Sequence, residues 1–179
     1  MRQLVHVVSA QPTQDGAGVK IHRVAGQALN AVLDPFLMID EINSDNADDY
    51  IAGFPEHPHR GFETITYMKT GRMRHRDHMG NEGVIKSGGV QWMTAGRGVL
   101  HSEIPEQESG LLHGFQIWLR MPHARMEDDP RYGTVNPADI PIVQLDNGLV
   151  RVIAGPLNEV IGPAEFAVTV QILDVELGP

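Results

Sequence analysis

His57-Pro58-His59 places two imidazoles two residues apart. In extended backbone, residues i and i+2 point to the same face, so both rings can reach one cation. His101-Ser102-Glu103 repeats the spacing with an imidazole and a carboxylate. Two such pairs on facing strands of a barrel would give three nitrogens and one oxygen around one ion, with two positions of an octahedron left open. That donor set suits Fe(II), Mn(II), Ni(II), Cu(II) or Zn(II). The chain has no cysteine, which excludes thiolate sites, disulfides and cysteine nucleophiles. Open positions beside a redox-active ion are what oxygen chemistry requires.

Other groups compete for these roles. Glu63 lies six residues after His57, so parity along an unbroken strand puts it on the same face, whereas a bulge at Gly61 would shift it. It ranks below Glu103 as a ligand. His75-Arg76-Asp77-His78 lies among Arg72, Arg74 and Arg76, whose charges disfavour a cation, and reads as a solvated hairpin strand. His113 reads as a satisfied core residue, and His6, His22 and His123 have no partner at ligand spacing. Gly96-x-Gly98 reads as a tight turn that swings the chain back to place His101, and not as a nucleotide loop, because no helical pattern follows it.

The elements that must hold these residues are strands. Phe62–Met68, Phe115–Met121 and Phe166–Leu173 alternate with period two, and Leu4–Ser9, Val84–Lys86, Gln91–Met93 and Val150–Ile153 are shorter candidates. Asp15-Gly16, Thr70-Gly71, Ser87-Gly88-Gly89 and Asn147-Gly148 punctuate them as turns. Many short strands at close spacing predict an antiparallel sandwich or barrel. Helix is expected only in short pieces near 127–132, 136–139 and 158–161.

Nineteen glycines and twelve prolines exclude a coiled coil or a long helical bundle. The formal charge of −9 argues against direct nucleic-acid binding, which depends on clustered Lys and Arg, but leaves a protein partner open. No apolar run is long enough to span a membrane, and the opening residues lack the apolar stretch of a secretory leader, so a cytoplasmic protein is expected. Residues 122–141 are rich in proline and acid and read as a linker or wrap-around segment. The stretch beyond them holds too few strands to stand alone. It is expected either to pack back on the preceding barrel or to form a homo-oligomer by pairing with a second copy.

With these residues in view, the sequence resembles the pirin family of the cupin superfamily. The likeness is carried by His57-Pro58-His59-Arg60-Gly61-Phe62-Glu63-Thr64 and by Gln91-Trp92-Met93-Thr94-Ala95-Gly96-Arg97-Gly98-Val99-Leu100-His101-Ser102-Glu103. Asp15-Gly16-Ala17-Gly18-Val19 and Leu33-Asp34-Pro35-Phe36-Leu37 support it. The resemblance implies an all-β cupin (jelly-roll) barrel followed by the start of a second cupin domain. Its divisions are an N-terminal barrel over 1–130, a linker over 131–141 and a partial second domain over 142–179. It implies His57, His59, His101 and Glu103 as metal ligands, Glu63 as a non-ligand, and Fe(II) as the metal. The implied activity is that of a flavonol (quercetin) 2,3-dioxygenase using O2, with Glu103 able to accept the substrate proton. A metal-binding transcriptional co-regulator is the alternative. Phe62, Met93, Phe115 and Trp118 are the candidates to line a pocket.

Overall fold

The computed structural model describes residues 7–178. Alternating sequence becomes strand nearly throughout. The first group is β1 (Gln11–Asp15), β2 (Val19–Ala25), β3 (Phe36–Ser44), β4 (Phe54–His59) and β5 (Phe62–Thr70). Next come β6 (Arg72–Asp77), β7 (Glu82–Lys86), β8 (Val90–Thr94), β9 (Val99–Pro105) and β10 (Leu112–Arg120). The last are β11 (Arg131–Val135), β12 (Ile142–Leu145), β13 (Gly148–Leu157), β14 (Val160–Pro163) and β15 (Ile172–Leu177). Every ladder pairing between them is antiparallel. Among the described residues no helix is long and apolar enough to cross a membrane.

Seven strands form one sheet in the order β1-β2-β3-β10-β5-β8-β11, and four form a second in the order β4-β9-β6-β7. Side chains from both sheets meet between them. Val19, Ile21, Ile42, Tyr50, Met68, Met73, Ile85 and Leu112 fill one part of that space as a buried core. A cavity occupies another part. The four-stranded sheet has β4 at its edge. An edge strand needs backbone donors on one side only, which is why it tolerates both Pro55 and Pro58.

The third sheet, β12-β13-β14 with β15 against β13, belongs to residues 142–177. It packs on the other face of the seven-stranded sheet. Ile153, Ala154, Ala164 and Ile172 join Ile65, Tyr67, Val90, Ile117 and Leu119 in one buried cluster. Strand β5 is therefore buried on both faces. Phe62, Thr66 and Met68 turn toward the barrel interior, and Ile65 and Tyr67 toward the third sheet. A polar seam reinforces this packing. Tyr67 Oη donates to Asp174 at 2.7 Å, and Asp174 also takes ion pairs from Lys69 at 2.8 Å and Arg151 at 3.2 Å. Of the two fates expected for this segment, the chain adopts the first: it packs back on the barrel.

Three local expectations change. The linker expected over 131–141 begins with β11, which pairs with β8 and extends the seven-stranded sheet. Phe166–Leu173 alternates, but strand begins only at Ile172. Phe166, Val168 and Val170 pack on the core, while the Ala167 amide donates to the Glu63 carboxylate at 2.8 Å and not to a neighbouring strand. Of the helical pieces, only Pro137–Asp139 forms, as a single 3-10 turn, because 127–132 runs into β11 and 158–161 makes the turn into β14. The Leu4–Ser9 reading falls partly outside the described residues, as do His6 and the opening segment, and residues 7–9 are not strand.

Candidate metal centre

The two spaced pairs sit on neighbouring strands of one sheet, not on facing strands. In the β4–β9 ladder His57 lies directly opposite His101. Along β9, the buried Val99, His101, Glu103 and Pro105 alternate with the less buried Leu100, Ser102 and Ile104. Two glycines shape the approaches. Gly61, at φ +77°, reverses the chain between β4 and β5, and its amide donates to the Gly96 carbonyl at 2.8 Å. Gly96, at φ +49°, packs so closely that a Cβ there would run into the Asp128 carbonyl oxygen. The turn Gly96-x-Gly98 thus does what its sequence implies and delivers the chain into β9.

His57, His59 and His101 present ligand atoms that all lie within 4.8 Å of one another. The Nε2 atoms of His59 and His101 each stand 3.0 Å from His57 Nε2. Two imidazole nitrogens bound at ~2.0–2.1 Å to one ion, at right angles, would be about 3 Å apart. The tautomers fit as well. His57 Nδ1 lies 2.7 Å from the Pro55 carbonyl oxygen, which can only accept, so Nδ1 carries the proton and Nε2 presents its lone pair to the other two rings. A shared hydrogen or a cation must sit among these nitrogens to offset lone-pair repulsion. The residues present therefore suit a divalent metal.

Electrostatics keep the rings in the form a metal binds. Burial, reinforced by the neighbouring imidazoles, pushes His59 and His101 down to about 3 from the ordinary 6.5. The unfolded chain binds more protons than the folded one between those values. Stability from this source is therefore complete above 6.5 and is lost as pH falls toward 3. Glu63, raised by burial, titrates in the opposite sense, as one group against two. Metal-stripped protein is expected to unfold at lower urea at about pH 5 than at about pH 7. An equal or higher midpoint at the lower pH would contradict the burial-driven shift.

Glu103 lines the same cavity but stands outside the three-histidine group. Its Oε1 accepts from the Thr66 hydroxyl at 2.5 Å, across the barrel from β5. Glu63 is elsewhere. It is fully buried, accepts from Thr94 Oγ1 at 2.6 Å and from the Ala167 amide, and so serves the seam with the third sheet. Parity from His57 fails because the chain turns at Gly61 and enters a different sheet.

The cavity is about 600 Å³. Its walls combine His57, His59 and Glu103 with Phe54, Phe62 and Trp118. Ring centroids of His59 and Phe62 are 4.9 Å apart, and those of Phe62 and Trp118 are 4.6 Å apart, so the aromatics buttress the imidazoles. Of the other pocket candidates, Phe115 lies on the opposite face of β10 against the third sheet, and Met93 packs with Ala95 and Val99. His113 is satisfied by Glu41 at 2.9 Å.

His75 differs from expectation. It is 1% exposed, not solvated, and its Nδ1 lies 3.3 Å from His101 Nδ1. The arginines that suggested a solvated strand occupy the alternate positions of β6 and pair with Glu82 and Glu106. The signal was in the sequence. Period two sets Met73 and His75 on one face and Arg72, Arg74 and Arg76 on the other.

Known proteins resemble this chain in sequence and in fold. A family model described as Pirin matches residues 18–119. The Pseudomonas aeruginosa protein named "Putative quercetin 2,3-dioxygenase PA3240" is 47% identical over 98% of this chain and 61% of its own length. A pirin-like protein of Caulobacter vibrioides is 49% identical over 87% of this chain and 56% of its own. A crystal structure of a quercetin 2,3-dioxygenase from Acinetobacter baumannii is 32% identical, with a TM-score of 0.84 over 93% of this chain and 61% of that one. The chain thus spans about three-fifths of the length of the relatives it matches.

Proposed function

Because the chain belongs to the pirin family and folds as a cupin β-barrel, we propose that His57, His59, His101 and Glu103 hold one divalent metal, Fe(II), in an oxidoreductase of the quercetin 2,3-dioxygenase type. The reaction would open a flavonol ring with O2. The observation that carries this reading is the convergence of three imidazole Nε2 atoms, those of His57 and His59 at the wall of an aromatic-lined cavity and that of His101 beside them. The donor set also accepts Zn, Ni, Mn or Cu. When bound, the metal supplies a Lewis acid and a redox couple for oxygen chemistry.

The chain's own groups supply binding, orientation and proton transfer. The cavity volume falls within the ~300–1,000 Å³ of small-molecule sites. Phe54, Phe62 and Trp118 offer flat apolar surface to an aromatic ring. Glu103 is anchored through Oε1 by Thr66, and no described residue donates to its Oε2. We assign that carboxylate both to the metal and to the proton of the substrate hydroxyl. In the same reading, the site lies wholly within an N-terminal barrel over 1–130, and residues 142–179 are the first strands of a second cupin domain.

Fe(II)-loaded protein given quercetin is expected to consume O2 in step with loss of the flavonol. Uptake should stop after verified metal removal and resume on reloading. Loaded protein that binds metal at these residues yet consumes no O2 would overturn the enzymatic reading and favour a metal-binding regulatory role.

A further inference from the structure

We infer that His75 is a positioning residue of this centre: it accepts a hydrogen bond from His101 Nδ1 and so holds His101 in the tautomer that leaves Nε2 free for metal. The inference rests on the reading of His101 as a ligand, and it adds a residue outside the proposed ligand set.

His101 Nε2 faces His57 Nε2 at 3.0 Å. To bind a metal there it must present a lone pair, so its proton belongs on Nδ1. The group facing Nδ1 is His75 Nδ1, at 3.3 Å, which must then be the acceptor. His57 is fixed in the same sense by the Pro55 carbonyl. The proton of His75 accordingly lies on Nε2, and that atom is buried without a hydrogen-bond partner among the described residues.

An unpaired buried N–H costs free energy, which a phenylalanine at this position would avoid. Packing alone does not explain an imidazole here. The acceptor at Nδ1 does. The ring is itself held in place. It lies between His101, at 5.0 Å between centroids, and Tyr132, at 4.9 Å and 32°. The Tyr132 hydroxyl accepts from Gln91 Nε2 at 2.6 Å. The chain His101–His75–Tyr132–Gln91 thus runs from the centre to β8 and β11.

Partners that orient a ligating histidine typically contribute about 10–100-fold in metal affinity. His75→Phe keeps an aromatic ring against Tyr132 but removes the acceptor. His75→Asn keeps an acceptor at the corresponding position while losing the ring. In competition with a chromophoric chelator, H75F is expected to bind Zn(II) about tenfold or more weakly than the native protein, and H75N more tightly than H75F. A role in packing alone gives the opposite order, because H75F preserves more contact. Native-like affinity in H75F, or H75N no better than H75F, would overturn the inference.

A measurement on the native sequence covers the case in which a variant fails to fold. The ring 15N spectrum of the Zn(II)-loaded protein should show His101 protonated at Nδ1, and a proton at Nε2 would overturn the inference. Retention of metal in His101→Ala while H75F binds normally would instead remove the proposed centre itself.

Discussion

His101→Ala is expected to bring metal content close to background, with an affinity loss beyond the ~10–100-fold typical of a partner outside the ligand set. Its ring is 1% exposed and stands between two others, with Nε2 toward His57 and Nδ1 toward His75. Removing it takes away one nitrogen and the hydrogen-bonded link to β6 together. His57 and His59 alone form a two-nitrogen site on an edge strand, with little to distinguish it from adventitious histidine pairs. The carboxylates give the sharper contrast. Glu103→Gln should lower metal content, and Glu63→Gln should leave it unchanged, because Glu63 points away from the cavity and accepts from the Ala167 amide. Elemental analysis of the three variants after identical loading decides the matter. Full occupancy in His101→Ala would refute the centre, and loss in Glu63→Gln with retention in Glu103→Gln would refute the choice of carboxylate.

How much of this was legible in the sequence depends on what each signal measures. The i, i+2 pairs were legible because strand parity is local: His57 and His59, and His101 and Glu103, each share a face without reference to the rest of the fold. Parity failed for Glu63 because it cannot cross Gly61, where φ of +77° turns the chain into another sheet. It was not applied to β6, where the charge of three arginines outweighed the alternation that buries His75. The pocket candidates divided for a similar reason. Both Phe115 and Trp118 lie on β10, but three residues apart they point to opposite faces, and both faces of that strand are covered. A single sequence does not state which face meets which sheet. The proline-rich stretch hid β11 because its strand, Arg131–Val135, is short and its β-formers Tyr132, Thr134 and Val135 are interrupted by Gly133. Its pairing is fixed by tertiary contact. Gly133 lies against the Trp92 indole so closely that a Cβ would overlap it.

A chain cut after Pro141 is expected to lose soluble, cooperatively folded protein. The segment removed covers the outer face of β5, β8 and β10, where Ile65 and Val90 are 0% exposed, Leu119 is 0% and Ile117 is 8%. Fully exposing four such side chains would forfeit about 6–12 kcal/mol, at about 1.5–3 kcal/mol each. The whole stability of an ordinary domain is about 5–15 kcal/mol. Even half that loss is severe, since the same cut removes the Asp174 partner of Tyr67 and Lys69 and bares a contiguous apolar sheet face that favours association. Ile153→Asp tests the same seam in the uncut chain by placing a carboxylate at a site 1% exposed within the cluster. It should lower the thermal midpoint sharply, because a charge with no partner there is costly to bury. Solubility, light scattering and thermal unfolding of both proteins provide the check. A monomeric 1–141 chain that unfolds at the native midpoint would show that the third sheet is an appendage and that the barrel closes its own core without it.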